Sequence, residues 1–311
     1  MMTTLDETAT GVFIVSATPF TDSGGLDLDS TDRLIDYYLA CGVRGITLLG
    51  MMGEAQKLTM AESLMFIRRV AKRVNGAIPI VVGASSPGFA SMKELATAAR
   101  GEGCSAAMIA PPSNLRTDGQ IFGYFESVAE NLSGIPFVLQ DFPLVTNVQI
   151  APAVLIRIIR EIPTCVMLKH EDWPGLAKIS ALRKASDAGE TRRISILAGN
   201  GGLFLAEELG RGVDGAMTGF AYPEMMVGVC AAHAGGRGER ARDLMDAYLP
   251  LMRYEQQPGI GLAIRKYVLA KRGLIGSAKV RSPGIPLSRW DVAEIDVLIE
   301  RQAQRDRKSV V

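Results

Sequence analysis

One lysine in this sequence lies where a neutral amine would be reactive. Lys169 ends the apolar run of residues 165–169, which has the pattern of a buried strand. Loss of hydration at the edge of a core disfavours the charged form of a lysine, and the neutral amine can attack a carbonyl carbon. The alternative is an ordinary rim lysine that extends to solvent or pairs with Glu171 or Asp172. The pattern therefore leaves two interpretations, a Schiff-base nucleophile and a structural lysine.

Two glycine-rich segments that follow apolar runs could hold an anion. They are Gly50–Glu54, with the sequence GMMGE, and Gly199–Gly202, with the sequence GNGG. Glycine lets the backbone come close to a ligand, and converging N–H groups can bind a carboxylate. A simple left-handed turn explains either segment equally well.

Polar residues also close two other apolar runs. Gln140 and Asp141 end one of them, and Asp141 could equally cap a turn before Pro143. His170 follows the lysine directly, and adjacent residues of a strand point to opposite faces. We therefore expect His170 to pack behind the site rather than act as a base. The remaining candidate hydroxyl donors are Thr218 and Tyr222.

Eight short apolar runs alternate with longer helical patterns. They cover residues 12–17, 45–50, 78–84, 106–110, 136–141, 165–170, 194–199 and 214–219. Most begin about 30 residues apart, the length of a βα unit, and they are apolar on both faces, as in a parallel sheet covered by helices. This pattern predicts an α/β fold, a (β/α)₈ TIM barrel over residues 1–234, whose reactive groups lie at the carboxyl ends of the strands.

Helix signals support this division of the chain. Thr59 and Glu62 have the spacing of a capping box. Glycines end the helical patterns at residues 41–45, 101–105 and 210–215, just before three of the strands. Helical patterns continue after the last strand at about 223–234, 237–254, 259–273 and 288–305. Since no linker intervenes, residues 235–311 are predicted to be a C-terminal helical appendage packed on the barrel as part of one structural unit.

Composition excludes several functional classes. The 311 residues carry a formal net charge of +1 with no basic stripe, so neither a nucleic acid nor a membrane is an expected partner. Four separated cysteines and two histidines do not indicate a metal site. The first residues lack the pattern of a signal peptide, and we expect a cytoplasmic location. A doubly wound nucleotide-binding fold is disfavoured because no GxGxxG motif follows the first strand.

Together these features resemble the dihydrodipicolinate synthase / N-acetylneuraminate lyase superfamily of class I aldolases. The matching features are residues 15–20 (VSATPF), Gly50–Glu54, the strand ending in Lys169, Gly199 and the trailing helices. The resemblance implies that Lys169 forms a Schiff base with a 2-keto acid, with no cofactor beyond this covalent imine. It also implies that Met51, Met52 and Gly53 hold the carboxylate, and that the protein is a homo-oligomer, in this family often a tetramer.

The chain departs from that family at several site positions. Thr or Ser is usual in the family at positions 51–52, and the tyrosine of the fifth strand aligns with Gln140. A second tyrosine aligns near Pro112 or Ser113, and the arginine that synthases use for the aldehyde substrate aligns with Val145. Glutamine can orient a group but cannot transfer a proton. Condensation of pyruvate with aspartate semialdehyde is therefore not the expected reaction.

The local pattern is more similar to the branch that dehydrates 2-keto-3-deoxy sugar acids, such as 2-keto-3-deoxyarabonate dehydratase. The similar segments are 138–143, Lys169-x-Glu171 with 174–175, 215–219 and 248–251. We assign Glu171 as acid and base beside Gln140, although Glu171 could instead only pair with Lys169 or an arginine. The further substrate-binding candidates are Ser113, Asp141, Gly199, Asn200, Thr218 and Tyr222.

Three functions follow from these interpretations. The first is a Schiff-base lyase that dehydrates a 2-keto-3-deoxy sugar acid. The second is a pyruvate-dependent aldolase or synthase whose proton relay is rebuilt from Tyr222 or water. The third is a keto-acid-binding barrel that has lost turnover. Intact Lys169 and the glycines of Gly50–Glu54 favour an enzyme.

Overall fold

Eight parallel strands close into a barrel in their chain order. The computed structural model describes residues 3–309, with side chains described through residue 306. The strands are β1 (Gly11–Val15), β2 (Gly45–Leu48), β3 (Ile80–Gly83), β4 (Ala106–Ile109), β5 (Phe137–Asp141), β6 (Cys165–His170), β7 (Ser195–Ala198) and β8 (Gly215–Thr218). Each coincides with one of the eight apolar runs, so the predicted (β/α)₈ barrel is confirmed.

Helices surround the barrel and continue beyond it. They are α1 (Leu28–Ala40), α2 (Met60–Val74), α3 (Phe89–Gly101), α4 (Asp118–Leu132), α5 (Pro143–Thr146), α6 (Pro152–Glu161), α7 (Leu176–Asp187), α8 (Leu205–Gly210), α9 (Pro223–Ala234), α10 (Gly238–Glu255), α11 (Gly261–Lys271) and α12 (Arg289–Ser309). Short 3₁₀ turns lie at Met51–Gly53, Ala55–Lys57 and Asn200–Gly202. The last four helices begin and end close to their predicted bounds. The division into units 1–234 and 235–311 stays a prediction.

Alternation along the strands decides which side chains enter the barrel. The buried interior layer consists of Leu5, Phe13, Val15, Val81, Ala106, Met108, Val138, Val166, Met167, Leu197 and Met217. Gln140 and Lys169 lie two residues after Val138 and Met167, so they point to the same side one layer nearer the mouth. The register pairs Gln140 with Lys169 across β5 and β6.

The N-terminal segment closes the opposite end of the barrel. Leu5 is buried in the interior layer. Ser105 Oγ donates to the Thr3 carbonyl at 2.6 Å and Ser195 Oγ donates to the Ala9 carbonyl at 2.7 Å. Both serines lie at the amino ends of strands, so residues 3–9 cover this floor and the site lies at the carboxyl ends.

The predicted helix signals are also present. Thr59 Oγ1 accepts from the Glu62 amide at 3.2 Å while Glu62 Oε2 accepts from the Thr59 amide at 2.9 Å, which completes the capping box of α2. Gly42, Gly103 and Gly212 follow helices with φ of 78°, 97° and 94°. These left-handed conformations favour glycine and turn the chain into the next strand.

Removing the N-cap side chain of α2 should lower the free energy of unfolding. Thr59→Ala removes the acceptor of the Glu62 amide, and loss of such a cap costs about 1 kcal/mol. We expect a lower free energy of unfolding in urea, with little change for Lys72→Ala, an exposed site on the same helix. Equal midpoints for Thr59→Ala and the unmodified protein would contradict this assignment.

Candidate active site

Three side chains meet at the base of a cavity, one from β5, one from β6 and one from the residue that directly follows β6. Lys169 Nζ lies 3.1 Å from Glu171 Oε2, and Gln140 Nε2 donates to the same oxygen at 2.7 Å. Lys169 and Glu171 are each only 5% exposed. A carboxylate between an amine and an amide can accept the proton that the amine must lose before it attacks a carbonyl carbon. The three catalytic candidates are therefore brought together.

The segment after β7 fixes the carboxylate from the other side. The Asn200 amide donates to Glu171 Oε1 at 3.3 Å, and Asn200 Nδ2 donates to the Glu171 carbonyl at 2.8 Å. Gly199 packs directly against the Glu171 side chain, since a Cβ at this position would overlap its Cγ and Cδ. Gly201 N donates to Thr218 Oγ1 at 2.9 Å, which joins this segment to β8.

The loop after β2 forms one side of the cavity and is anchored from below. Met51 and Met52 line the cavity, whereas Gly53 does not, and its carbonyl accepts from Thr18 Oγ1 at 2.6 Å. Glu54 has a φ of 56° and turns its carboxylate into the protein, where Oε1 pairs with Lys266.

That anchor is a buried ionic cluster. The second oxygen of Glu54 accepts from Lys57 Nζ at 3.0 Å and from the Arg281 amide at 2.9 Å. Burial lowers the pKa of Lys266 to about 8, although the neighbouring Glu54 carboxylate opposes this effect. The loop is thus attached to α11 and to the segment before α12.

Asp141 and His170 face the helices rather than the cavity. Asp141 Oδ2 accepts from Lys178 Nζ at 2.7 Å, and the same ammonium lies 2.6 Å from Asp172 Oδ2. Burial raises the pKa of Asp141 against the opposing charge of Lys178. His170 Nδ1 lies 3.3 Å from Glu208 Oε1. Asp141 therefore joins the end of β5 to α7 and does not line the cavity; His170 lies where alternation predicts.

Two other predicted substrate-binding residues lie elsewhere. Ser113 is exposed, and its carbonyl accepts from Arg116 at 2.6 Å. The centroid of the Tyr222 ring lies 5.5 Å from the centroid of the Tyr248 ring. The guanidinium carbon of Arg272 lies 4.1 Å from the Tyr222 centroid. Among the described residues, neither Ser113 nor Tyr222 lines the cavity.

The cavity has a volume of about 370 Å³ and extends from the strands to the C-terminal helices. Seven residues predicted from the sequence line its strand side: Met51, Met52, Gln140, Lys169, Glu171, Asn200 and Thr218. Val15, Phe142 and Gly219 line this side as well and were not predicted as site residues. Its other side is lined by Glu255, Gln256 and Arg265, which sequence reasoning missed. These residues belong to ordinary helical patterns, and no motif distinguishes them. The arginine position of synthases is occupied by Val145, which is 50% exposed.

Comparison with known proteins places this geometry in a family. A model of the dihydrodipicolinate synthetase family matches residues 8–302. The chain belongs to that family. Family members are lyases and aldolases that use a lysine Schiff base with a keto acid and no external cofactor.

Relatives within the family carry different reaction names. An L-2-keto-3-deoxyarabonate dehydratase from Azospirillum brasilense is 30% identical over 279 residues, 88% of each chain. A 4-hydroxy-tetrahydrodipicolinate synthase from Marinobacter nauticus is 26% identical over 290 residues, 92% of this chain and 96% of that protein. A solved dihydrodipicolinate synthase from Rhodopseudomonas palustris is 47% identical, with a TM-score of 0.94 over 96% of this chain and 99% of that one. The family and fold are therefore shown, whereas the particular reaction depends on the site.

The described residues lack two features that would indicate other functions. Within residues 3–309, no helix is both long enough and apolar enough to cross a membrane. In the same part of the chain, no three His, Cys, Asp or Glu side chains are grouped as metal ligands.

The contact between Gly199 and Glu171 predicts that a methyl group added at position 199 destabilises the fold. Gly199→Ala should displace the Glu171 side chain and lower the free energy of unfolding by about 1–3 kcal/mol, the usual effect of overpacking. Gly119→Ala is the matched control, because nothing lies near its added methyl group and alanine favours helix α4. Chemical denaturation of both variants measures the difference. An unchanged stability of Gly199→Ala would mean that Glu171 is not held at this position.

Proposed function

We propose that this protein is a Schiff-base lyase that dehydrates a 2-keto-3-deoxy sugar acid. The observation that carries the proposal is the Glu171 carboxylate, held between Lys169 Nζ at 3.1 Å and Gln140 Nε2 at 2.7 Å. No tyrosine of the described chain lines the cavity. A carboxylate is thus the acid and base beside the lysine, where the aldolases of the family use a phenol.

The first step is formation of the imine. Glu171 accepts a proton from Lys169, and the neutral amine attacks the C2 carbonyl carbon of the keto acid. Glu171 then returns this proton to the alkoxide oxygen, takes a second proton from the Lys169 nitrogen and passes it to the same oxygen. The C2–O bond breaks, and departure of water leaves an iminium on Lys169 and a free Glu171 carboxylate. The C=N bond of this iminium joins only Lys169 and the substrate, so the step needs no further cofactor.

The substrate carboxylate must lie beside the lysine during this step. Met51 and Met52 line the cavity, and the Gly53 amide is already bonded to the Gly50 carbonyl at 2.9 Å. We therefore assign the backbone amides of Met51 and Met52 as donors to the carboxylate. Backbone N–H groups suffice for this contact without the hydroxyls of related loops.

Dehydration follows from the same constellation. The iminium accepts electrons and acidifies C3, so Glu171 can remove a C3 proton to give an enamine. The enamine electron pair then forms the C3–C4 double bond as the C4–O bond breaks, and Glu171 donates its proton to the departing hydroxyl. Water leaves, and hydrolysis of the unsaturated iminium frees Lys169. Gln140 and Asn200 orient Glu171 and the substrate oxygens.

Carbon–carbon bond chemistry is the second candidate, favoured by the 47% identity to a solved protein titled a dihydrodipicolinate synthase. Retro-aldol cleavage begins with removal of the proton from the C4 hydroxyl, whereas elimination begins with removal of the C3 proton and only later donates a proton to the C4 oxygen. Gln140, at the position of the family tyrosine, cannot transfer a proton. The 30% identity to a dehydratase, together with Glu171, supports water loss instead.

Borohydride reduction should trap the proposed imine on one lysine. Incubation with pyruvate and borohydride is expected to leave a stable adduct on Lys169, detected by mass spectrometry of peptides. Lys169→Arg should give no adduct because guanidinium does not form the imine. Lys184→Arg, at an exposed helix position, should label normally. An adduct that persists in Lys169→Arg would contradict the assignment.

Product analysis separates water loss from carbon–carbon cleavage. With a 2-keto-3-deoxypentonate, we expect loss of the substrate without release of pyruvate, measured with lactate dehydrogenase. Glu171→Gln should lower kcat by about 10²- to 10⁴-fold, the usual contribution of a general acid or base. The exposed control Glu207→Gln should retain activity. Stoichiometric pyruvate from the unmodified enzyme would favour the aldolase interpretation.

A further inference from the structure

The C-terminal helices contribute a polar surface to the cavity that contains Lys169. This helical wall consists of Glu255, which ends α10, Gln256, which follows it, and Arg265 of α11. Glu255 and Arg265 are buried, at 2% and 3% exposure. Buried polar groups cost free energy unless they are paired, so a polar surface at this position suggests that a ligand supplies partners.

Two glycines at the ends of strands make room for the helical wall. A Cβ at Gly201 would overlap the side-chain amide of Gln256, and a Cβ at Gly219 would overlap the Arg265 guanidinium. Both glycines line the cavity beyond β7 and β8. The barrel end is thus shaped to admit these polar side chains beside the substrate space.

Arg265 and Glu255 leave part of their bonding capacity unused. Arg265 Nε donates to Glu255 Oε1 at 2.6 Å, and Arg265 Nη2 donates to the Gly219 carbonyl. Arg265 Nη1 and Glu255 Oε2 have no hydrogen-bond partner within the described chain. The pair therefore has no net charge, yet it retains one donor group and one acceptor.

We propose that the helical wall is the subsite for the hydroxylated tail of the substrate, and that it selects a neutral hydroxyl over a second carboxylate. A hydroxyl both donates and accepts, so it complements the donor Arg265 Nη1, the acceptor Glu255 Oε2 and the Gln256 amide. A terminal carboxylate only accepts and places a like charge near Glu255. The inference rests on the proposed function in that the tail belongs to a 2-keto-3-deoxy acid.

Imine trapping tests this subsite without requiring turnover. The half-saturating concentration for borohydride trapping on Lys169 is measured with 2-keto-3-deoxypentonate, with 4-hydroxy-2-oxobutanoate, which lacks the tail, and with a 2-keto-3-deoxyaldarate, which ends in a carboxylate. The pentonate should be trapped at a concentration about 10- to 100-fold lower than either, the range expected for hydrogen bonds to charged groups. Equal concentrations for the three acids would overturn the proposal.

A paired variant removes the helical wall without leaving a lone buried charge. Glu255→Met combined with Arg265→Met replaces both partners by apolar side chains, a change that proteins often tolerate. It should abolish the preference for the pentonate while pyruvate, which has no tail, is trapped as before. Arg253→Ala, an exposed change on α10, is the control that should keep the preference. A preference that survives in the double variant would also overturn the proposal.

Gln256→Leu covers the case in which the double variant does not fold, because it changes no charge. It should reduce the preference about tenfold, as expected for one hydrogen bond near charged groups, and an unaltered preference would count against the subsite. Water loss is measured separately. Preferential trapping of the pentonate without dehydration would refute the proposed function alone. Dehydration without that preference would refute only the role of the helical wall as the tail subsite.

Discussion

The pairing of β5 with β6 is the constraint on which the candidate site depends. Their register places Gln140 beside Lys169 and Asp141 beside His170. Because side chains alternate along a strand, the first pair enters the barrel and the second faces the helices. A shift of one residue along β6 would turn Lys169 away from the cavity and bring the His170 imidazole beside Gln140 instead. The reactive residues and their supports are therefore fixed by one register.

The outward pair contributes to the site through ionic contacts. Lys178 holds Asp141 at the end of β5 and Asp172 beyond β6, at 2.7 and 2.6 Å. Gln140 and Glu171 each precede one of these aspartates in the chain. The ammonium thus limits the separation of the two backbone segments that carry the carboxylate and its amide partner. A buried charge of this kind is costly without its partners, so its three members act as one unit.

Sequence patterns predicted this barrel well because apolar runs and helix caps are local signals. Alternation also predicted that Lys169 and His170 face opposite ways. The family resemblance, rather than a local signal, predicted Gln140 and Glu171 as partners of the amine. The pairing of Asp141 with Lys178 was not predictable, since it depends on how α7 packs against the end of β5. The position of Arg265 in the cavity was not predictable either. A helical residue that lines a cavity follows the same sequence periodicity as one that packs in a core.

The charges around the cavity also constrain which step the site can favour. Lys169 with Glu171 and Arg265 with Glu255 are two pairs without net charge, so an arriving keto acid brings an unbalanced carboxylate. Transfer of the Lys169 proton to Glu171 leaves this balance unchanged. Formation of the iminium then places a positive charge on the lysine nitrogen beside the substrate carboxylate, and a buried site strengthens that attraction. Once Glu171 has removed the C3 proton it is an uncharged donor, which suits release of the C4 hydroxyl as a neutral water molecule. The pairing of a lysine with a carboxylate rather than a phenol therefore fits elimination, in which the proton removed from C3 is the one that the leaving hydroxyl requires.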